Sequence, residues 1–433
     1  MNAVNHVQDL LNFIDASPSP WHAVASASAR LEAAGFSQLE EKHTWSLSSG
    51  DKRYVIRDDS SIIAFKIGHQ PLTETGIKIL GAHTDSPGLR VKPQPSIYGD
   101  HLWRVALEVY GGPILATFTD RDLSLAGRLG YRDAHGEIKS RLIRFTQPLL
   151  RIPNLAIHMN RTVNEEGLKL NKQNELPAIL NNAESQLNDQ NFLQLLARES
   201  GLDAAQIMSW ELNVYDTQPG SFWGSEKAFY SNSQLDNLAS CHAGLTAFLD
   251  TDSLASGNTS VCALFDHEEI GSESCKGAAG SFLGDVLQRL IATQTQNTED
   301  LQRVLAGSFM VSADMAHAYN PNYPNAYESN HKVLINHGPV IKINANHRYA
   351  SQCLSEAQFM AYCQQAGVPF QKYAHRGDLA CGSTIGPISS AKLGIATVDV
   401  GSPMWAMHSI RESAGVADHG YLIEALKVFF SAI

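Results

Sequence analysis

The chain has 433 residues, 43% apolar and 18% charged, a globular profile that excludes a disordered, collagen-like or low-complexity protein and suggests two or three domains. Thirty-three basic against 44 acidic residues leave a net charge of −11, and no basic stripe offsets it, which argues against a nucleic-acid partner. No apolar run reaches the ~18 residues of a membrane span, the first residues carry no signal-peptide pattern, and no C-x-x-C pair occurs. The expectation is a cytoplasmic protein without membrane contact, its thiols reduced and mostly buried.

Ser17-Pro18-Ser19-Pro20 opens a predicted helix in which Trp21, Val24, Ala25, Leu31 and Ala34 recur near helical spacing, with Ser28 on the same face and Gly35 as the C-terminal cap. Strand-like runs follow at Tyr54–Ile56 and Ile62–Ile67, and Ile77–Leu80 runs straight into Gly81-Ala-His-Thr-Asp-Ser-Pro87. From Val91 to Asn232 the texture changes. Alternating segments at Leu102–Val109, Leu123–Leu129, Ile138–Phe145 and Leu212–Tyr215 are punctuated by Gly111-Gly112-Pro113 and Pro148, with a polar, looped or helical passage at Asn171–Glu199. From Leu235 onward helix-like and strand-like segments alternate as in βαβ units. The expected fold class is α/β, a central mostly parallel sheet flanked by helices. It is assembled from residues 1–92 and 233–433 and interrupted by a β-rich inserted domain at 93–232.

Four near-continuous apolar runs suit strands covered on both faces: Ile77–Leu80, Val261–Phe265, Phe309–Ser312 and Ile395–Val400. Polar groups follow each in turn: His83 and Asp85, then Glu268 and Glu269, then Asp314 and His317, then His408 after a Gly401-Ser-Pro403 turn. If the strands are neighbours, these side chains converge at their carboxyl ends, where open α/β sheets bind ligands.

Taken singly, each group has a bland reading. His83-Thr-Asp85 suits a hydrogen-bonded loop, or a metal ligand whose second ring N–H is held by Asp85. Asp266-His-Glu-Glu-Ile-Gly271 suits a solvated turn, or buried acids whose repulsion cations relieve. Asp236, in Gln234-Leu-Asp-Asn-Leu238, suits a helix N-cap or a ligand. Asp314 and His408 alone suit loops.

Taken together, two histidines and three carboxylates suit two divalent cations with Asp236 bridging, best Zn²⁺, with Co²⁺ or Mn²⁺ as substitutes. Glu269 then binds an ion. Glu268 remains free to take a proton from an activated water and return it to a leaving amine. A serine hydrolase lacks support because no G-x-S-x-G elbow occurs, and no phosphate-binding G-x-x-x-x-G-K-[ST] loop occurs either. Gly382 to Gly386 reads as a turn bringing backbone to the cleft, or as a plain strand–helix connection.

These segments, in order, resemble the aspartyl aminopeptidase family of dinuclear metallopeptidases. The resemblance is carried by Ala82-His-Thr-Asp-Ser-Pro-Gly88, Leu155-Ala-Ile-His158, Leu235-Asp-Asn-Leu238, Asp266-His-Glu-Glu-Ile-Gly-Ser272, Asn336-His-Gly-Pro-Val-Ile-Lys342, Cys381-Gly-Ser-Thr-Ile-Gly-Pro387 and Met407-His-Ser-Ile-Arg-Glu412. It implies that His83, Asp236 and Asp314 hold one ion, that Asp236, Glu269 and His408 hold the other, and that Glu268 is the catalytic acid/base. It also implies that Lys342 and Tyr349 recognise an acidic first residue of a peptide substrate, although without the family Lys342 reads as a solvated strand-end lysine. His158, by the same resemblance, reaches a neighbouring subunit's site within a homo-oligomer, a tetrahedral dodecamer built through the insert. Two departures stand out: Gln234 occupies a position where the family pattern has arginine, and Gly377-Asp378 one where it has Asn-Asp. The competing readings are a neutral-residue aminopeptidase or an amide deacylase with the same metal site, and a non-catalytic metal-stabilised shell.

Overall fold

The computed structural model describes residues 2–183, 188–252, 257–295 and 297–432. A nine-stranded sheet forms its centre, and the four apolar runs lie side by side within it, in the order Thr259–Phe265, Ile77–His83, Phe309–Ala313 and Ala396–Gly401. All three pairings among them are parallel.

Their apolar runs are explained by alternation. Successive strand side chains point to opposite faces. Ile79, Val261, Ala263 and Met310 therefore pack on one side, against the helices Phe282–Gln294 and Ile385–Leu393. Leu80, Ala82, Cys262, Leu264, Val311 and Val398 pack on the other, against the helices Leu235–Asp250 and Val416–Ser431. With both faces covered, most positions in these strands are apolar, and a buried polar exception such as Asp399 is held by hydrogen bonds from Thr384 and the Ala350 N–H.

Helix Pro20–Ala33 begins with Pro at its first position, where no N–H is required, and buries Trp21, Val24, Ala27 and Leu31. Ala25, Ser28 and Ala34 are only half-buried, and Gly35 follows at φ +83°. A helix at Ala3–Asp15, absent from the sequence reading, precedes it; it is capped by the Asn2 side chain and buries Val7, Leu10, Leu11 and Ile14.

A six-stranded antiparallel sheet spans Gly88–Gly99 through Ile207–Asp216. The polar passage contributes to it both a strand, Ala178–Asn182, and a helix, Asp189–Ser200, whose Phe192 and Leu196 enter the sheet's own core. A third sheet is built from short pieces: Ser221–Trp223, Phe229–Asn232, Glu412–Gly415, Pro403–Trp405 and Ala316–His317. Its pairing of Asn232 with Glu412 joins the entry to helix Leu235–Asp250 to the segment that follows His408.

No helix among the described residues is long and apolar enough to cross a membrane. All six cysteines are free, and Cys275 and Cys353 are exposed, so burial accounts for only part of the cysteine usage.

Candidate metal centre

A cavity of about 330 Å³ opens at the carboxyl ends of the four parallel strands. His83 ends one strand, Asp314 follows directly on another, and Glu268 and Glu269 lie in the turn beyond Phe265. Asp236 enters from the start of helix Leu235–Asp250, and His408 from the loop after Pro403–Trp405. Gln234, His267 and His408 all adopt positive φ (58°, 68° and 69°), a strained conformation for non-glycine residues that clusters at functional sites.

Asp236 faces two ways. Its Oδ1 lies 3.5 Å from His83 Nε2, and its Oδ2 lies 3.4 Å from His408 Nε2. His83 Nε2 is also 4.0 Å from Asp314 Oδ1, and His408 Nε2 is 3.4 Å from Glu269 Oε1. Two donor sets meet at Asp236, His83/Asp236/Asp314 and Asp236/Glu269/His408, and a third, His83/Glu268/Glu269, adjoins them; in each the ligand atoms lie within 4.8 Å of one another. Glu268 is a member only of the third; its Oε2 sits 3.9 Å from His83 Nε2 and the residue lines the cavity.

Electrostatics mark the crowding. Burial, with added repulsion from Asp314, Glu269 and Asp85, pushes Glu268 up to about 9 against the opposing pull of His83. Burial and Asp236 push Glu269 up to about 7, and burial with Asp236 and Asp399 pushes Asp314 up to about 6, despite Lys342. For His408 burial acts downward, but the Asp236 and Glu269 carboxylates prevail and carry it up to about 11. Acids this close cannot all ionise unless positive charge is supplied. Asp236 Oδ1, buried, has no hydrogen-bond partner among the described residues, as a donor atom aimed at an ion would.

A layer behind these groups holds them. The nearer acceptor for His83 Nδ1 is the Asp85 carbonyl at 3.0 Å, with the Asp85 carboxylate at 3.4 Å. That carboxylate, fully buried, accepts the backbone N–H groups of Glu268 and Glu269, both at 3.1 Å. Glu412, 1% exposed, accepts the backbone N–H of Asp236 at 3.0 Å and of His408 at 2.6 Å, linking the two residues that share one donor set. Sequence reasoning gave Glu412 no role, although it ends the segment Met407–Glu412.

Lys342 is buried, not a solvated strand end. Its ammonium donates to the Met315 carbonyl at 2.8 Å, lies 3.7 Å from Asp314 Oδ2, and sits 5.4 Å from the centre of the Tyr349 ring. Both residues line the cavity, as does His317, which burial and Lys342 push down to about 4. His317 was noted in the sequence only as a residue after the third strand. Gly382 and Ser383 bring their turn to the same wall. His158, by contrast, is exposed on a turn and does not line the cavity.

The Aminopeptidase I zinc metalloprotease (M18) family profile matches residues 13–430. The chain belongs to the M18 family. It is 47% identical over 430 residues to a probable M18 family aminopeptidase 2 of Stutzerimonas stutzeri strain A1501, covering 98% of both chains. A relative of the same description in Pseudomonas aeruginosa strain LESB58 is 45% identical over 428 residues, again with 98% of both chains covered. Among solved structures, a chain in the cryo-EM structure of the Ape4 and Nbr1 complex superposes with a TM-score of 0.96 at 36% identity, covering 99% of this chain and 86% of that one. The S. cerevisiae mApe1 dodecamer gives 0.85 at 29%, covering 98% and 96%. This M18 protein is therefore a zinc aminopeptidase, a peptide hydrolase, with the metallopeptidase fold expected of it. The carboxylates of its cavity, with His83 and His408, are a donor set that zinc accepts.

Proposed function

We propose that this aminopeptidase removes N-terminal aspartate or glutamate from peptides at a two-zinc centre, with His83, Asp236 and Asp314 holding one ion and Asp236, Glu269 and His408 the other. Support comes above all from the two donor sets meeting at Asp236; Glu268 belongs to neither of these and, although within ligand reach of His83 and Glu269, is assigned as the base. Zinc bound there polarises the scissile carbonyl and lowers the pKa of water towards ~7. Burial is the main cause that raises Glu268; positive charge in the cluster would offset it and the added repulsion of Asp314, Glu269 and Asp85, favouring the ionised base. Glu268 accepts a proton from the attacking water and delivers it to the leaving amine nitrogen.

The acidic preference rests on Lys342, a buried ammonium on the cavity wall beside Tyr349. A substrate carboxylate reaching it gains a charge-assisted hydrogen bond, about 1.5–3 kcal/mol or roughly 10–100-fold. Residues 93–232 form the inserted domain that carries assembly into a homo-oligomer, with the dodecamer of the yeast relative as the pattern and His158 offered to a neighbouring subunit. The setting is the cytoplasm.

The test is kcat/KM on peptides beginning with Asp, Glu or Leu, and on N-acyl amides, for wild type and Lys342→Met. Preference for acidic first residues that collapses selectively in Lys342→Met is the expected result. Equal or better cleavage of Leu peptides makes it a neutral-residue aminopeptidase, and cleavage of acylated amides makes it a deacylase.

A further inference from the structure

We propose that Tyr110 and the Gly111–Gly112 turn, which close the strand Leu102–Tyr110 of the six-stranded sheet, are positioning residues for the metal ligands on the other part of the chain. The proposal rests on the metal-centre reading above and extends it. All the candidate ligands lie outside residues 93–232, yet the segment beginning at Tyr110 reaches both donor sets.

The Tyr110 hydroxyl donates to Asp85 Oδ2 at 2.7 Å. That same oxygen accepts the Glu269 N–H, while Oδ1 accepts the Glu268 N–H and faces His83 Nδ1. A fully buried carboxylate serving three site residues is thus itself anchored by one hydroxyl from the six-stranded sheet. The tyrosine ring is pinned in turn, with the Arg90 guanidinium carbon 3.8 Å from its centre.

The next two residues act on the other donor set. Gly111 has φ +66°, and a Cβ there would lie 3.1 Å from the Glu269 carbonyl oxygen and 3.2 Å from its Cβ, so this turn packs directly on Glu269. The Gly112 carbonyl accepts from His408 Nδ1 at 3.0 Å. A carbonyl only accepts, so Nδ1 carries a proton, and Nε2 is the nitrogen turned to Asp236 and Glu269, the one left to bind an ion once its own proton is lost. Ile114 N–H fastens the same histidine's carbonyl at 2.8 Å. The end of the six-stranded sheet thereby holds Nδ1 and the backbone of one ligand, His408, and the backbone of another, Glu269, together with that of Glu268.

The experiment is a zinc titration against a competing chelator, using full-length wild type, Tyr110→Phe and Gly111→Ala, with Tyr131→Phe as a control in the same sheet. Thermal unfolding of each metal-free chain is measured alongside. Outer hydrogen-bond partners of metal ligands contribute about 10–100-fold to metal affinity, and that loss is expected for Tyr110→Phe and Gly111→Ala while the control keeps wild-type affinity. A loss in either variant whose metal-free chain melts like wild type supports positioning, which a merely structural role does not reproduce. Wild-type affinity in both overturns it. A wild-type chain that takes up no zinc overturns the metal-centre reading itself, and this proposal with it.

Discussion

One helix, Leu235–Asp250, serves two clusters of histidine and carboxylate, one buried and one with a part-exposed carboxylate, and their histidines shift in opposite directions. Its second residue, Asp236, enters the cavity with Glu268, Glu269, Asp314, His83 and His408. Six residues on, His242 donates from Nε2 to Asp9 at 2.9 Å and accepts on Nδ1 from His419 Nε2 at 2.9 Å. In this second cluster there is one carboxylate, and Arg30 pairs with it at 2.7 Å. The hydrogen bond from His242 and the Arg30 guanidinium hold Asp9 well below the usual carboxylate range, and burial pushes His242 and His419 down. In the cavity burial and repulsion instead push Glu268 up to about 9. The residue types match, but the charge count does not. A cluster that balances its own charge is structural, whereas one with surplus negative charge calls for cations.

The largest effect expected from testing this contrast is at Glu268. Glu268→Gln keeps the shape and removes the base, so turnover falls by about 10²–10⁴ while zinc content stays at the wild-type level. Wild-type turnover in that variant removes Glu268 from the chemistry. Glu412→Ala comes next: it frees the backbone N–H groups of Asp236 and His408, and zinc affinity drops about 10–100-fold in a chelator competition. Unchanged affinity would make Glu412 a packing residue only.

The cavity and one of its supports, Asp85, were legible in the sequence, and the other supports were not, for a physical reason. Strands buried on both faces are apolar at most positions, so Ile77–Leu80, interrupted only by Lys78, and Val261–Phe265 announce themselves, and further polar residues stand at the strand ends. Glu412 and Tyr110 act through backbone N–H groups and a second carboxylate, contacts that impose no spacing on the chain. The third sheet was hidden because its Ala316–His317 and Pro403–Trp405 strands are too short to show a period of two. Helix Ala3–Asp15 was legible, with Val7, Leu10, Leu11 and Ile14 at helical spacing, but was overlooked. The strand Ala178–Asn182 was not legible, since pairing with Leu102–Val105 defines it rather than any alternation of its own.

The self-balanced cluster has its own signature in pH. His242 and His419 are held neutral in the folded state, below their ordinary value of 6.5, whereas the unfolded chain protonates them near that pH. The unfolded state therefore binds more protons, and stability falls as pH drops below about 6.5. Glu268, Glu269 and His408, held above their ordinary values, act in the opposite sense, so the histidine contribution is read by difference: on going from pH 7.5 to pH 5.5 the urea midpoint of metal-free His419→Gln is expected to fall less, or rise more, than that of wild type. An identical difference in that variant would place the titration elsewhere. The smallest effect is at Arg30. Its pair with Asp9 is part-exposed, so Arg30→Gln costs about 0–1 kcal/mol in the same urea experiment. A loss of several kcal/mol would mean that Asp9 depends on the guanidinium and not on His242.

The sharing of Asp236 is tested most directly by calorimetric zinc titration of the metal-free chain, wild type against Asp236→Asn. Two ions per wild-type chain, with both binding events weakened by the single substitution, is the predicted result. One ion or none in wild type, or two ions held undiminished in Asp236→Asn, would contradict it.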